Sequence, residues 1–248
     1  MIKKSKMKNL IYIPATNDID KQLPQGIKTW KYYCDKHNIK LVISRDLPPK
    51  NNEIYKNSNF QQYLTPSLLE EDYERLLIVD CDTMVRWDTP NIFEEYPQDT
   101  FSVVKDISGE NSGKYHLNQW NNYNPNIKTP PPNYFNSGFM LLNKSNYIKL
   151  REAIKPYYEE YIRVKKSNEY RIDTSDQTPT NIISYDIFPE EINFIPDIWN
   201  NMVMFKYDDA SFINDSYIWH FTGPRMGGWE NKSNIMDQIW NHVKDQYI

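Results

Sequence analysis

The sequence predicts an α/β fold built on a mostly parallel central sheet flanked by helices, in one domain. Three observations carry this. The N-terminal part alternates short apolar strands with amphipathic helices in a β-α-β-α-β rhythm. The segment after Arg75, Leu76 to Val79, is wholly apolar, as a strand buried on both faces requires. The 248 residues show no internal repeat and no low-complexity linker that would divide them.

The elements follow in order. Asn9 to Ile13 reads as the first strand. Ile27 to Asn38 reads as a helix, because Trp30, Tyr33, Cys34 and His37 recur on one stripe. Ile39 to Ser44 is a second strand, Asn59 to Tyr73 a helix begun or interrupted at Pro66, and Arg75 to Val79 a third strand. FSVVKD, ending at Asp106, is a further strand, and Asn111 to Asn133 is a long loop rich in Asn, Pro and aromatics. Loops of that length in compact domains are commonly functional. Phe135 to Leu142 is a strand, Tyr147 to Lys165 a helix interrupted at Pro156, and Ser216 to Trp219 a short strand. Ser233 to Tyr247 closes the chain as an amphipathic helix with Ile235, Met236, Ile239, Trp240, Val243 and Tyr247 on one face, which predicts docking onto the core, with a partner or membrane surface as the competing reading.

Composition narrows the function classes. A net charge of −4 argues against a nucleic-acid partner, which calls for a basic excess. Two cysteines, Cys34 and Cys81, exclude a disulfide framework and a cysteine-rich zinc module. The apolar runs are too short to span a bilayer, and Leu10 to Pro14 is too short for a signal sequence core, so a cytoplasmic protein without a transmembrane segment is expected. Aromatics make up 15% of the chain, and four of only seven glycines (Gly138, Gly223, Gly227, Gly228) fall in two short segments. Clustered glycine in a glycine-poor chain marks close backbone approach.

In parallel sheets ligands bind beyond the carboxyl ends of the strands, which directs attention to Pro14–Asp18, Ser44–Asp46 and Asp80–Asp82. Asp80 and Asp82, two apart in LLIVDCDTMV, fall on the same side of an extended chain. Two carboxylates held together repel unless a cation lies between them, and a hard divalent ion is the natural resolution. The competing reading is a turn-capping Asp beside a solvated one. His220, in SYIWHFTGPRMGGW, is a second candidate ligand or a structural histidine. The glycines after it, with Arg225, suit the wrapping of a phosphate. Two carboxylates with one imidazole suit Mn²⁺ better than Mg²⁺, although Mg²⁺ also takes such oxygen ligands. Asn136, Ser137 and Gly138 precede an apolar strand, as a turn lining a pocket for a polyhydroxylated ligand or as an ordinary turn. Asp176 and Gln177 precede a helix, where Asp176 reads as an N-cap.

Taken in order, these segments resemble the metal-dependent glycosyltransferases of the GT-A fold, and within them glycosyltransferase family 8. The chain has IYIPATND, IVDCDT, FNSGFMLLN, DQTPTN and HFTG where the family has a first strand with its nucleotide loop, strand-D-x-D, F-N-[SA]-G-x-[LM]-L-[IL]-N, D-Q-x-x-x-N and H-x-x-G. The resemblance runs from about residue 9 to 229. It implies a single Rossmann-like GT-A domain over 1–248, with a nucleotide-binding part at about 1–105, a donor-sugar and acceptor part at about 106–230, and a C-terminal helix at 233–248.

The resemblance also implies roles. Asp80, Asp82 and His220 would hold Mn²⁺ against the diphosphate of a nucleotide-sugar, expected to be a UDP-sugar. Ala15, Thr16 and Asn17 would receive the base and ribose. Asn136 and Ser137, with Asp106, would contact the donor sugar. Asp176 and Gln177 would flank the anomeric carbon in a retaining transfer to a glycan or other hydroxyl acceptor. Gly223 and Arg225 would add donors to the phosphate oxygens, and Trp120, Tyr123, Tyr134 and Trp199 are candidates for stacking on sugar.

The chain also departs from the family. The last motif usually continues H-x-x-G-x-x-K-P-W, whereas here Met226 stands at the Lys position, with Arg225 beside it. Where the family often has a basic residue on the helix before D-x-D, this chain has Gln62 or Tyr63. Two alternatives stay open: an inverting transferase with Asp176 or Asp173 as base, and a binding module that has lost catalysis. A haloacid-dehalogenase-type phosphatase also uses strand-D-x-D, but it needs Thr where Met84 stands and the motif on its first strand.

Overall fold

The computed structural model describes residues 8–46, 60–64, 66–96, 100–107, 114, 117–118, 121, 133–167, 176–203, 210–222 and 229–248. In chain order the elements are β1 (Asn9–Pro14), α1 (Ile19–Gln22), α2 (Pro24–His37), β2 (Lys40–Ser44), α3 (Gln61–Leu64), α4 (Ser67–Glu70), β3 (Arg75–Val79), β4 (Thr83–Val85), α5 (Ile92–Glu95), β5 (Phe101–Lys105), β6 (Phe135–Asn143), α6 (Lys144–Ser167), α7 (Gln177–Ile187), β7 (Ile192–Phe194), β8 (Asn201–Met202), β9 (Ile218–His220) and α8 (Trp229–Val243), with short 3-10 turns between some of them.

Six strands form the main sheet in the order β2-β1-β3-β6-β5-β7. The pairs β1–β2, β1–β3 and β5–β7 are parallel, and β6 runs antiparallel to both its neighbours. The inner strands β1, β3 and β6 bury both faces, and the two-residue period of a strand sorts their side chains. Leu10, Tyr12, Leu76, Ile78, Met140 and Leu142 join one core with Tyr147, Leu150 and Ile154 of α6. Ile11, Ile13, Leu77, Val79, Phe139 and Leu141 join another with Ile27, Trp30 and Cys34 of α2. Each such buried aliphatic side chain stabilises the fold by roughly 1.5–3 kcal/mol. Arg75 is buried at the start of β3, where its guanidinium donates to the carbonyls of Phe93 (2.9 Å) and Tyr96.

A second, three-stranded sheet, β4-β9-β8, carries the end of the chain. Helix α8 covers it, burying Met236, Ile239 and Val243 with Met84 and Trp219, as its amphipathic face predicts.

Several boundaries differ from the sequence reading. Helix α2 starts at Pro24, a residue suited to a first helical turn. The predicted helix 59–73 is two single turns about Pro66. Helix α6 begins at Lys144 and runs through Pro156 without ending. Proline there costs about 3 kcal/mol, and the buried stripe of Tyr147, Leu150, Ile154, Tyr158 and Tyr161 holds the helix on the sheet. The long loop 111–133 lies almost wholly outside the described residues.

Reversal of β6 places the site. β1, β3 and β5 end at one edge of the sheet, and antiparallel β6 begins there. Val79 pairs with Phe139, so Gly138 and the residues before it stand beside Asp80. A register shift between Val103 and Lys105 ends the β5–β6 ladder just before Asp106.

Candidate active site

Asp80, Asp82 and His220 come together at this edge. Their ligand atoms all lie within 4.8 Å of one another, the one such group among the described residues. His220 Nε2 is 3.2 Å from Asp82 Oδ1 and 3.7 Å from Asp80 Oδ2. Gly138 makes the approach possible, because a Cβ there would lie 2.3 Å from Asp80 Oδ2 and 2.7 Å from His220 Cε1. Gly26 does the same for the turn itself, since a Cβ on α2 would lie 2.6 Å from the Thr83 carbonyl.

The electrostatics are those of a cation site. His220 is fully buried, and its Nε2 has no hydrogen-bond partner. Its Nδ1 lies 2.9 Å from Asn200 Oδ1. Burial opposes ionisation of Asp82, but its polar neighbours, among them the Lys232 ammonium, outweigh it and hold the carboxyl well below its usual range. Lys232 Nζ donates to Asp82 Oδ2 at 2.6 Å. Burial, then the charge of Asp82, push Asp80 upward, and 38% exposure of its side chain tempers that push. A buried imidazole lone pair facing two carboxylates is an arrangement that a divalent ion with oxygen and nitrogen ligands satisfies. The donor set therefore fits a metal.

Asp176 lies beside this group, buried at the start of α7. It holds the N-cap position, as the sequence reading has it, but its side chain makes no capping hydrogen bond. Its Oδ2 instead accepts from Gln62 Nε2 at 2.9 Å and Ser137 Oγ at 3.1 Å. Burial and the nearby charge of Asp80 push its carboxyl up to about 7. Gln177 turns the other way. Its Nε2 donates to Asp106 Oδ2 at 2.9 Å, and its Oε1 accepts from Asn136 Nδ2 at 3.1 Å and from the Ser137 N–H at 3.2 Å. Asn181, the last residue of D-Q-x-x-x-N, ties α7 to β6 by accepting from the Phe135 N–H and donating to the Phe135 carbonyl.

The loop after β1 lies on the same edge. Ala15, expected to receive the base and ribose, is corrected: it is wholly buried in the apolar core and its N–H donates to the Ser44 carbonyl at 2.7 Å, so the residue serves to fix the loop. The Thr16 N–H donates to Gln61 Oε1 at 3.2 Å, and Gln61 Nε2 donates to the Ser44 carbonyl at 2.6 Å. Thr16 Oγ1 is buried with no hydrogen-bond partner. Asn17 is exposed and holds φ 59°, in the left-handed region that Asn tolerates.

The structure thus brings Gln62, Asp80, Asp82, Asp106, Asn136, Ser137, Asp176, Gln177 and His220 into one neighbourhood. Gly223 and Arg225 lie outside the described residues, as do Trp120, Tyr123 and Asp173. Two sugar-stacking candidates are corrected. Trp199 is buried against Tyr96 and Tyr217, and Tyr134 is buried with its hydroxyl 2.8 Å from Thr178 Oγ1. Sequence reasoning missed Lys232 and Asn200. Lys232 reaches Asp82 from a helix whose register against the site no local motif encodes, and Asn200 sits in an unremarkable Asn pair.

Among the described residues no helix is long and apolar enough to cross a membrane. The family model for glycosyl transferase family 8 matches residues 5–232. Among curated proteins, none matches the sequence significantly. The fold is similar to the crystal structure of a glycosyltransferase involved in the glycosylation of the major capsid of PBCV-1, with a TM-score of 0.56 and 12% identity over 94% of this chain and 100% of that one. It is similar also to the apo-form glycosyltransferase GlyE of Streptococcus pneumoniae TIGR4, with a TM-score of 0.51 and 13% identity over 96% of this chain and 64% of GlyE.

Proposed function

The chain belongs to glycosyl transferase family 8 and is a glycosyltransferase of the GT-A fold, and from that premise we propose that it is a Mn²⁺-dependent enzyme moving a sugar from a UDP-sugar to a hydroxyl acceptor such as a glycan, with retention of anomeric configuration. The observation that carries the metal dependence is the orphaned, buried Nε2 of His220 facing Asp80 and Asp82. Those three side chains would hold the ion, which supplies Lewis-acid stabilisation of the departing diphosphate.

The protein's own groups do the rest. Thr16 and Asn17 receive the base and ribose; Gln61 braces that loop from behind. Asp106, Asn136 and Ser137 hold the donor sugar, and Gln177 braces them. In the reaction the bond from the anomeric carbon to the diphosphate oxygen breaks, and the acceptor oxygen forms the new bond on the same face. The acceptor proton passes to the leaving diphosphate. Positive charge grows on the sugar ring, where the Asp176 carboxylate offsets it. Asp176 is buried and takes two hydrogen bonds on one oxygen. Those two bonds hold the carboxyl in place beside the ring rather than turned to an incoming acceptor, which supports retention over inversion. Retention of the metal ligands argues for catalysis over a binding module.

About 1–105 is the nucleotide part and about 106–230 the sugar and acceptor part, and the closing helix expected at 233–248 is α8, Trp229–Val243. The free, buried thiols of Cys34 and Cys81 suit a reducing compartment, the cytoplasm. Incubation with a panel of UDP-sugars, Mn²⁺ and sugar acceptors, with the product anomer read by NMR, tests the reading. Retained configuration supports it, and an inverted product reassigns Asp176 as base.

A further inference from the structure

The hydrogen bonds around His220 run in one direction. Two backbone N–H groups fix that direction, because a backbone N–H only donates. The Ser137 N–H donates to Gln177 Oε1 at 3.2 Å, so the Gln177 amide turns its NH₂ to Asp106. The Gly138 N–H donates to Asn136 Oδ1 at 3.1 Å, so the Asn136 amide turns its NH₂ to Gln177 Oε1. Asn136 Oδ1 then faces Asn200 Nδ2 at 3.1 Å, which leaves Asn200 Oδ1 facing His220 Nδ1 at 2.9 Å. An amide oxygen only accepts, so Nδ1 must carry the proton. Asn200 and His220 are both fully buried.

We infer that Asp106, Gln177, Asn136 and Asn200 form a polarised relay that fixes His220 in its Nδ1–H form and presents a bare Nε2 to the acidic pair, with Asn200 as the positioning residue. The alternative tautomer would place a proton on Nε2, 3.2 Å from Asp82 Oδ1, where it would be drawn to the carboxylate and deny the imidazole lone pair to a cation. The relay therefore selects between a histidine that binds metal and one that merely pairs with Asp82. It also joins the groups assigned to the donor sugar to the metal-binding end of the site through contiguous side chains. The inference rests on the reading of Asp80, Asp82 and His220 as metal ligands.

Two readouts test it on the full chain. Imidazole ¹⁵N spectra, recorded above the imidazole titration range and assigned with His220→Gln, report the tautomer without metal. The spectrum of free aquo-Mn²⁺ by electron paramagnetic resonance reports affinity. Wild type is expected to show Nδ1–H. Asn200→Leu is expected to move the proton to Nε2 and to weaken Mn²⁺ binding by about 10–100-fold. Asn200→Asp keeps an acceptor toward Nδ1 and is expected to keep both the tautomer and the affinity within a few-fold. Wild-type Nε2–H overturns the relay even where Asn200→Leu does not fold, and so does a folded Asn200→Leu with unchanged tautomer and affinity. Wild type that shows Nδ1–H and takes up no Mn²⁺ upholds the relay and overturns the metal reading.

Discussion

Gly138 and Asp80 share one small space. A Cβ on Gly138 would lie 2.3 Å from Asp80 Oδ2, while the Asp80 N–H donates to the Gly138 carbonyl at 3.0 Å. The strand pairing thus brings the backbones together, and the absence of a side chain lets the carboxylate sit beside His220.

Gly138→Ala is therefore expected to displace the Asp80 carboxylate and the His220 ring. Overpacking of this kind costs about 1–3 kcal/mol. Mn²⁺ affinity by titration calorimetry should fall by at least about 10-fold, with far-ultraviolet dichroism unchanged.

Lys232 and Asp82 should be energetically coupled. Both side chains are nearly buried and meet at 2.6 Å. A double-mutant cycle of Asp82→Ala and Lys232→Met in urea denaturation should give a favourable coupling of roughly 1–3 kcal/mol. Asp82→Ala alone should be the less stable single variant, because it leaves a buried ammonium without that carboxylate.

Asp176 should make stability fall with rising pH. Burial and the charge of Asp80 raise its carboxyl from the usual 3.8 to about 7 in the folded state. Between those values the folded protein keeps a proton that the unfolded chain releases. The stabilisation is full below about pH 4 and lost as the pH approaches about 7. Asp176→Asn should flatten the urea midpoint across this window and raise it at the alkaline end. The same variant should lower kcat by roughly 10²–10³.

Asn181 holds α7 and β6 together, and with them Asp176 and Gln177. Asn181→Ala leaves the Phe135 N–H and carbonyl without the side-chain partners they have now. At about 1–3 kcal/mol for each orphaned group, the denaturation midpoint should drop measurably. Activity should fall further than stability alone accounts for, because both side chains at the head of α7 lose their register.

Much of this was legible in the residues. Apolar Leu76 to Val79 followed by Asp80 and Asp82 located both the central strand and the acidic pair, since burial and charge change abruptly at one point. Asp176 and Gln177 were legible as a pair but not in orientation. Which way each side chain turns depends on Ser137, Gln62 and Asp106, brought in from distant segments. The short strands β4, β7 and β8 had no readable pattern, because two or three residues cannot display a period. Lys232 and Asn200 were invisible for the same long-range reason: only the docking of α8 and the turn before β8 bring them to the site.

The most direct test is the thermal midpoint of the purified chain with UDP, GDP and a panel of nucleotide-sugars, each with and without Mn²⁺. A ligand at 100 times its Kd stabilises the native state by about 2.7 kcal/mol. The expected result is a rise that needs Mn²⁺ and a uridine diphosphate together and vanishes in Asp82→Ala. No rise with any nucleotide at millimolar concentration, with or without Mn²⁺, would contradict the metal–diphosphate site at Asp80, Asp82 and His220.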